Sequence, residues 1–234
     1  QRLYGGSVVA YLDRLGFLSP RVSLAHAVWL TPDDIATVAR TGAAIAHNPM
    51  SNLNLGSGIA PVPAYLRAGI PVGLGTDGYS GGNHAMFEAM RLAAALHTVH
   101  TTDYAQWLRP PDVLRLATHG GATVAQLAGG GGALAVGRRA DLVILGADSP
   151  ALTPLNDLVD QLVYCERGAA VETVVVNGEV VVQGGRVATV DEPAILAEAR
   201  RLAERLTERN RALFAFAREH EAHIHRAYFS AGDA

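Results

Sequence analysis

Val72-Gly73-Leu74-Gly75-Thr76-Asp77-Gly78 is an apolar run that ends in a glycine-framed turn presenting a single carboxylate. An Asp at a strand tip is a candidate metal ligand. Upstream, Leu24-Ala25-His26 and Ile45-Ala46-His47-Asn48-Pro49 repeat the arrangement, a short apolar strand followed by a residue able to bind a metal or move a proton. Three consecutive strand ends therefore carry His, His and Asp. The intervals from 26 to 47 and from 47 to 77 each suit one βα unit with its loop, which implies a parallel sheet.

The segments between these strands read as helices. Val8, Val9, Leu12 and Leu15 fall at helical spacing and stop at Gly16. Thr31-Pro32-Asp33-Asp34 combines a capping residue, a first-turn proline and acids at the positive end of the dipole, and Thr41-Gly42 closes that helix. Residues 43–46 form the second strand, residues 48–58 read as a long polar loop, and residues 61–68 form a helix before the third strand. Beyond Asp77, residues 84–97 are helical in period, Pro110-Pro111-Asp112 starts another helix, and residues 118–127 form a third. Gly129-Gly130-Gly131-Gly132 then punctuates the chain.

After the glycines the pattern changes. Ala140-Asp141-Leu142-Val143-Ile144-Leu145 is β-rich, and Val174-Val175-Val176 and Glu179-Val180-Val181-Val182 flank Asn177-Gly178, the signal of a type I′ hairpin. Residues 192–226 return to helix, with Ile195, Leu196, Leu202, Leu206, Leu213 and Phe216 on one apolar stripe. The expected organisation is α/β: residues 1–130 as βα units, 131–190 as a small β module, and 191–234 as a C-terminal helical segment packing on the rest.

Composition narrows the function classes. The chain has 234 residues, 49% hydrophobic and 18% charged, with net charge −3, so it reads as an ordinary globular protein without a basic stripe for nucleic acid or an anionic membrane. A small-molecule substrate is the expected partner. Cys165 is the lone cysteine, which excludes an intrachain disulfide and a multi-cysteine metal cluster and fits a reducing, cytoplasmic setting. No uninterrupted apolar run reaches the roughly 18 residues of a membrane span. The chain starts at Gln1 rather than Met, which suggests further sequence upstream.

In a βα barrel, the C-terminal strand ends face one mouth, where catalytic groups sit. His26, His47 and Asp77 are expected neighbours there. A carboxylate oxygen and imidazole nitrogens suit zinc or iron, and such a metal lowers the pKa of a bound water to about 7. From the residues alone, Asp77 reads either as that ligand or as a turn-capping Asp, the glycine frame favouring the ligand. His26 reads equally as a catalytic or a core histidine, and His47 as structural. His84, His97, His100 and His119 read as helix-face or loop residues. His223 and His225 lie two apart on a helix and point in different directions, which argues against a shared metal. The glycine run lacks the Lys-Ser/Thr of a phosphate loop.

The three strand ends, the run Ala46-His47-Asn48-Pro49-Met50-Ser51-Asn52-Leu53-Asn54-Leu55-Gly56-Ser57-Gly58 above all, resemble the sixth, seventh and eighth strand ends of the amidohydrolase superfamily. The similarity is to its cytosine deaminase-like branch, which holds S-adenosylhomocysteine and methylthioadenosine deaminases, guanine deaminases and triazine chlorohydrolases. Gly137-Arg138-Arg139-Ala140-Asp141-Leu142-Val143 and Val174-Val175-Val176-Asn177-Gly178 resemble that branch's β-sandwich segment. The resemblance implies the C-terminal part of a TIM-type (β/α)8 barrel, about three βα units, with part of a small β-sandwich domain and a C-terminal helix.

It further implies hydrolysis of a C–N bond on a purine, pyrimidine or triazine-like ring with one divalent metal, zinc before iron. Asp77 would be ligand and proton acceptor, His26 would act on the group under attack, and His26, His47, Asn48, Ser51, Asn52 and Tyr79 would contact substrate, residues 79–83 lying along the pocket. The branch's His-x-His after the first strand, and the His and Glu after the fifth, have no counterpart in residues 1–25. A complete barrel takes about 250 residues. The chain is therefore expected to be the C-terminal part of a longer enzyme, homo-oligomeric when whole, whose open parallel edge invites association. The competing expectation is a non-catalytic fragment or partner subunit.

Overall fold

Ser7 opens α1 (Val8–Arg14) by accepting the Ala10 N–H at 3.0 Å. Its hydroxyl also donates to Asp34, so the cap of the first helix is tied to the start of the second. β1 (Ser23–Ala25) follows, and α2 (Pro32–Thr41) starts as the sequence predicts: Thr31 Oγ1 accepts the Asp34 N–H at 3.2 Å and Asp34 Oδ2 accepts the Thr31 N–H at 3.0 Å. Gly42, at φ 72°, ends it. The computed structural model describes residues 5–78, 84–99, 101–127 and 130–230, which divide into two units at Arg186/Val187.

β2 (Ala44–His47) is the middle of the first sheet. It pairs in parallel with β1 (Leu24 opposite Ile45) and with β3, Val72–Leu74 (Ala46 opposite Gly73), in the order β1-β2-β3. Every connection between parallel neighbours must cross over, and α2 supplies the first crossover. Two short helices, α3 (Pro49–Asn54) and α4 (Val62–Arg67), supply the second. The loop expected at 48–58 is thus half helix. Ser and Asn are weak helix formers, but Pro49 at the first helical position is pre-organised for it and long-range bonds described below hold it.

The sheet's apolar core joins Ile45, Val72 and Leu74 to Val38, Tyr65 and Ile70, all nearly inaccessible. α5 (Met86–Leu96) contributes Met90, and α6 (Pro110–Arg115) contributes Val113. α6 runs into a π-helical turn, Leu116–Gly120, and then α7 (Gly121–Val124), where the sequence predicts one helix from Pro110-Pro111-Asp112 and another over residues 118–127. This segment lies close on the sheet. A Cβ on Gly73 would sit 2.6 Å from Gly120 O and 2.9 Å from Gly121 Cα, and Ser23 Oγ donates to Val124 O at 2.7 Å. Gly132, from the glycine run, seats against the same turn, where a Cβ would meet His119 Cα at 2.6 Å.

The second sheet is antiparallel, in the order β4 (Leu142–Leu145), β5 (Val171–Val176), β6 (Glu179–Gln183) and β7 (Arg186–Val187). Asn177 and Gly178 both take positive φ, 53° and 86°, as the expected I′ turn requires. α8 (Leu158–Tyr164), not anticipated from the sequence, precedes β5 and places Val163 in the core of the first unit. The second unit holds α9 (Glu192–Arg209) and α10 (Arg211–Ser230), two helices where one is expected, separated at Asn210. No helix among the described residues is long and apolar enough to cross a membrane.

Because the Gly73 and Gly120 backbones meet without room for a methyl group, Gly73→Ala should lower stability by about 1 to 3 kcal/mol, read as a lower urea midpoint with unchanged slope.

Candidate active site

The ends of β1 and β3 make unusual turns. His26 and Ala27 have φ of 66° and 49°, and Asp77 has φ of 59°. Such left-handed geometry is uncommon outside glycine and persists where surrounding contacts enforce it. At β1, His26 N donates to Ala46 O at 2.9 Å, and the buried Tyr65 hydroxyl donates to Ala27 O. Burial pushes the Tyr65 hydroxyl pKa up to about 12, keeping it a donor. At β3, Gly75 N donates to His47 O at 2.9 Å, and Asn48 Oδ1 occupies the space a Gly75 Cβ would need.

These turns bring His26 and Asp77 together, with His26 Nε2 3.6 Å from Asp77 Oδ2. Both side chains remain open to solvent, at 39% and 37% exposure. α3 grips the pair from below. Ser51 Oγ donates to Asp77 Oδ2 at 2.6 Å, and His26 Nδ1 lies 2.9 Å from Asn52 Oδ1. Gly78 N adds a bond to Asp77 Oδ1 at 2.7 Å. The Ser51 hydroxyl first, then the Gly78 N–H and the neighbouring His26, hold the Asp77 carboxyl below its usual range. Asp77 is thus a carboxylate at neutral pH, ready to ligate or to accept a proton.

The remaining expected site residues lie deeper. Ser51 and Asn52 are 1% and 2% exposed, Asn48 is 6% exposed, and His47 is inaccessible. Ser51 and Asn52 therefore meet the side chains of Asp77 and His26 rather than open solvent. His47 faces His97 edge-on, with ring centroids 5.9 Å apart, and neither of its nitrogens has a hydrogen-bond partner among the described residues. His97, expected on a helix face, is buried: Nδ1 lies 2.7 Å from Ala93 O and Nε2 3.2 Å from Ala60 O. It ties the end of α5 to the segment before α4. Tyr79 and the rest of residues 79–83 lie outside the described residues.

The sequence pattern of the amidohydrolase family matches residues 2–181. The chain belongs to the amidohydrolase family. This amidohydrolase is 45% identical over 206 residues to a 5-methylthioadenosine/S-adenosylhomocysteine deaminase of Desulforudis audaxviator, covering 88% of this chain and 48% of that protein. It is 40% identical over 207 residues to a 5'-deoxyadenosine deaminase of Methanosarcina mazei, covering 88% and 47%. Among solved structures, a zinc-bound adenosine deaminase from Xanthomonas campestris superposes with TM-score 0.84 at 33% identity over 88% of this chain and 47% of the other. The zinc complex of an atrazine chlorohydrolase from Arthrobacter aurescens does so at TM-score 0.80 and 34% identity, over 86% and 45%. The chain spans about half the length of the relatives it matches.

Asp77 suits the metal that such relatives carry, since it is ionised, accessible and fixed by two hydrogen bonds that leave each oxygen a free lone pair. Among the described residues no group of three or more His, Cys, Asp or Glu side chains gathers to complete a metal site.

Burial first, and then the neighbouring His97 and His26, lower the His47 pKa from 6.5 to about 3. Between those values the unfolded chain binds a proton that the folded chain refuses, so stability falls as pH falls, by up to about 1.4 kcal/mol per pH unit from this group. Urea unfolding followed from neutral to acidic pH should show this slope, and His47→Phe should flatten it.

Proposed function

We propose that the three βα units belong to a (β/α)8 barrel and that the whole protein is a metal-dependent aminohydrolase removing the ring amino group of an adenine nucleoside. The substrates named for its relatives, methylthioadenosine, S-adenosylhomocysteine and 5'-deoxyadenosine, define the class. The observation that carries this reading is the pair His26 and Asp77, which sits accessible at two strand ends and is held by Ser51 and Asn52.

In this reading, water adds to the ring carbon that bears the amino group. A C–O bond forms as Asp77 takes one proton of the water on its carboxylate; the hydroxyl's remaining proton passes to the adjacent ring nitrogen as the carbonyl forms, and Asp77 hands its proton to the amino group, so that the C–N bond breaks to release ammonia. His26 Nε2, oriented toward Asp77, hydrogen-bonds the atoms under attack as charge develops there. A divalent metal, zinc before iron, would take Asp77 as one ligand and supply a water acidic enough to react near neutral pH. Asn48, Ser51, Asn52 and His47 form the polar support beneath these two groups rather than a wall against substrate.

A second reading has one observation in its favour: the described residues offer no complete metal site. The chain would then be a non-catalytic partner. Ammonia release from the three nucleosides in the presence of zinc separates the two. The proposal expects turnover of at least one of them, with Asp77→Asn lowering the rate by at least about 100-fold. No turnover, together with no zinc retained by the chain on elemental analysis, would support the partner reading.

A further inference from the structure

The β1–β2 ladder runs one residue past the strand, with His26 N donating to Ala46 O at 2.9 Å, and there the chain changes hand. Ala27 N donates back to Ala25 O at 2.8 Å, with His26 between them at φ 66°. A three-residue turn whose central residue has positive φ is the rare, strained form of the γ-turn. Ala27 follows at φ 49°, so two consecutive residues that carry a Cβ occupy the left-handed region. Glycine would take that conformation without steric cost. Here contacts from outside the turn must hold it.

Asn52 meets only the ring of His26, whose own rotamers can follow it, so that contact does not fix the backbone. Among the described residues, the bond that the turn's backbone receives from beyond the sheet comes from the Tyr65 hydroxyl, which donates to Ala27 O across 38 positions of sequence. Tyr65 stands on α4, fully buried, with its ring in the same core cluster as Val38, Ile45 and Ile70. A phenol anchored in that way is a donor at a fixed point. Returning Ala27 to an ordinary φ would swing its carbonyl off that point and leave both groups without their partner.

We propose that Tyr65 is a positioning residue that, through the Ala27 carbonyl, holds the strained turn from which His26 faces Asp77. Inaccessible to any substrate, it acts through the backbone alone. Its ring fills the core, and its hydroxyl sets the hand of the turn one layer above. This rests on the role given to His26 under Proposed function, but the turn can be observed whether or not the chain turns over any nucleoside.

The test combines Tyr65→Phe, which keeps the ring and removes the donor, with Ala27→Gly, which lowers the cost of the left-handed conformation. The turn is read by NMR of the labelled chain. At positive φ the amide and α protons of one residue approach closely, which gives His26 a strong intraresidue cross-peak. The wild type and Ala27→Gly should both show it. Tyr65→Phe should weaken it and lower the rate of nucleoside deamination roughly tenfold, the equivalent of one hydrogen bond. The double variant should regain both. A residue that only fills the core gives no such rescue, because glycine at position 27 adds no packing and removes a methyl group that lies against the core. A Tyr65→Phe cross-peak at wild-type strength would overturn the proposal, as would a wild type without it or a loss that Ala27→Gly does not repair. If Tyr65→Phe does not fold, folding regained in the double variant supports the proposal, and a double variant that stays unfolded overturns it. A wild type that deaminates no nucleoside would count against the proposed activity, and the cross-peaks would still decide the role of Tyr65.

Discussion

The bonds from Ser51 to Asp77 and from Asn52 to His26 are the constraint on which the site depends. β1 and β3 are not neighbours. Each pairs with β2, so the strands that carry His26 and Asp77 are separated by two strand spacings, about 10 Å. Side chains at that separation have many rotamers and few reasons to meet. One helix rooted between them removes the freedom of both at once. Because α3 begins directly after His47, its position is tied to the register of the central strand.

Such an arrangement puts polar groups where apolar ones would be more stable. Asn48, Ser51, Asn52 and His47 are all buried, and His47 has no partner for either nitrogen among the described residues. Burying unpaired polar atoms costs free energy, and the left-handed turns at His26 and Asp77 add backbone strain. The offset lies a layer below, in Ile45, Val72, Val38, Tyr65 and Ile70, which bury almost all of their surface. Tyr65 serves both layers, since its ring is core and its hydroxyl holds the Ala27 carbonyl beside His26.

Strand ends were legible in the sequence because each signal is local: an apolar run, a glycine or proline stop, and a polar residue at the turn. The capping box of α2 and the Asn177-Gly178 turn were equally readable, as both are set by residues within a few positions of one another. α3 was not. Its Ser and Asn residues read as loop because their stabilising partners are 26 positions away in the chain. His97 misled for a related reason, since its environment includes Ala60, 37 positions earlier. The π-helical turn at Leu116–Gly120 leaves no periodicity signal of its own.

That turn makes the segment sensitive to length in a way that composition does not reveal. A π-helical turn holds one residue more than the α-helical turn it replaces, and each residue added or removed rotates everything beyond it by about 100°. Gly120 must arrive at Gly73, and Val124 must arrive at Ser23. Exposed positions such as Arg115 and Thr118 can change identity freely within this stretch. A single-residue deletion there, silent in hydrophobicity and charge, would turn the glycine contact away from the sheet. Across related chains this stretch should therefore drift in sequence while keeping its residue count, an alignment gap being rarer here than in the loops on either side.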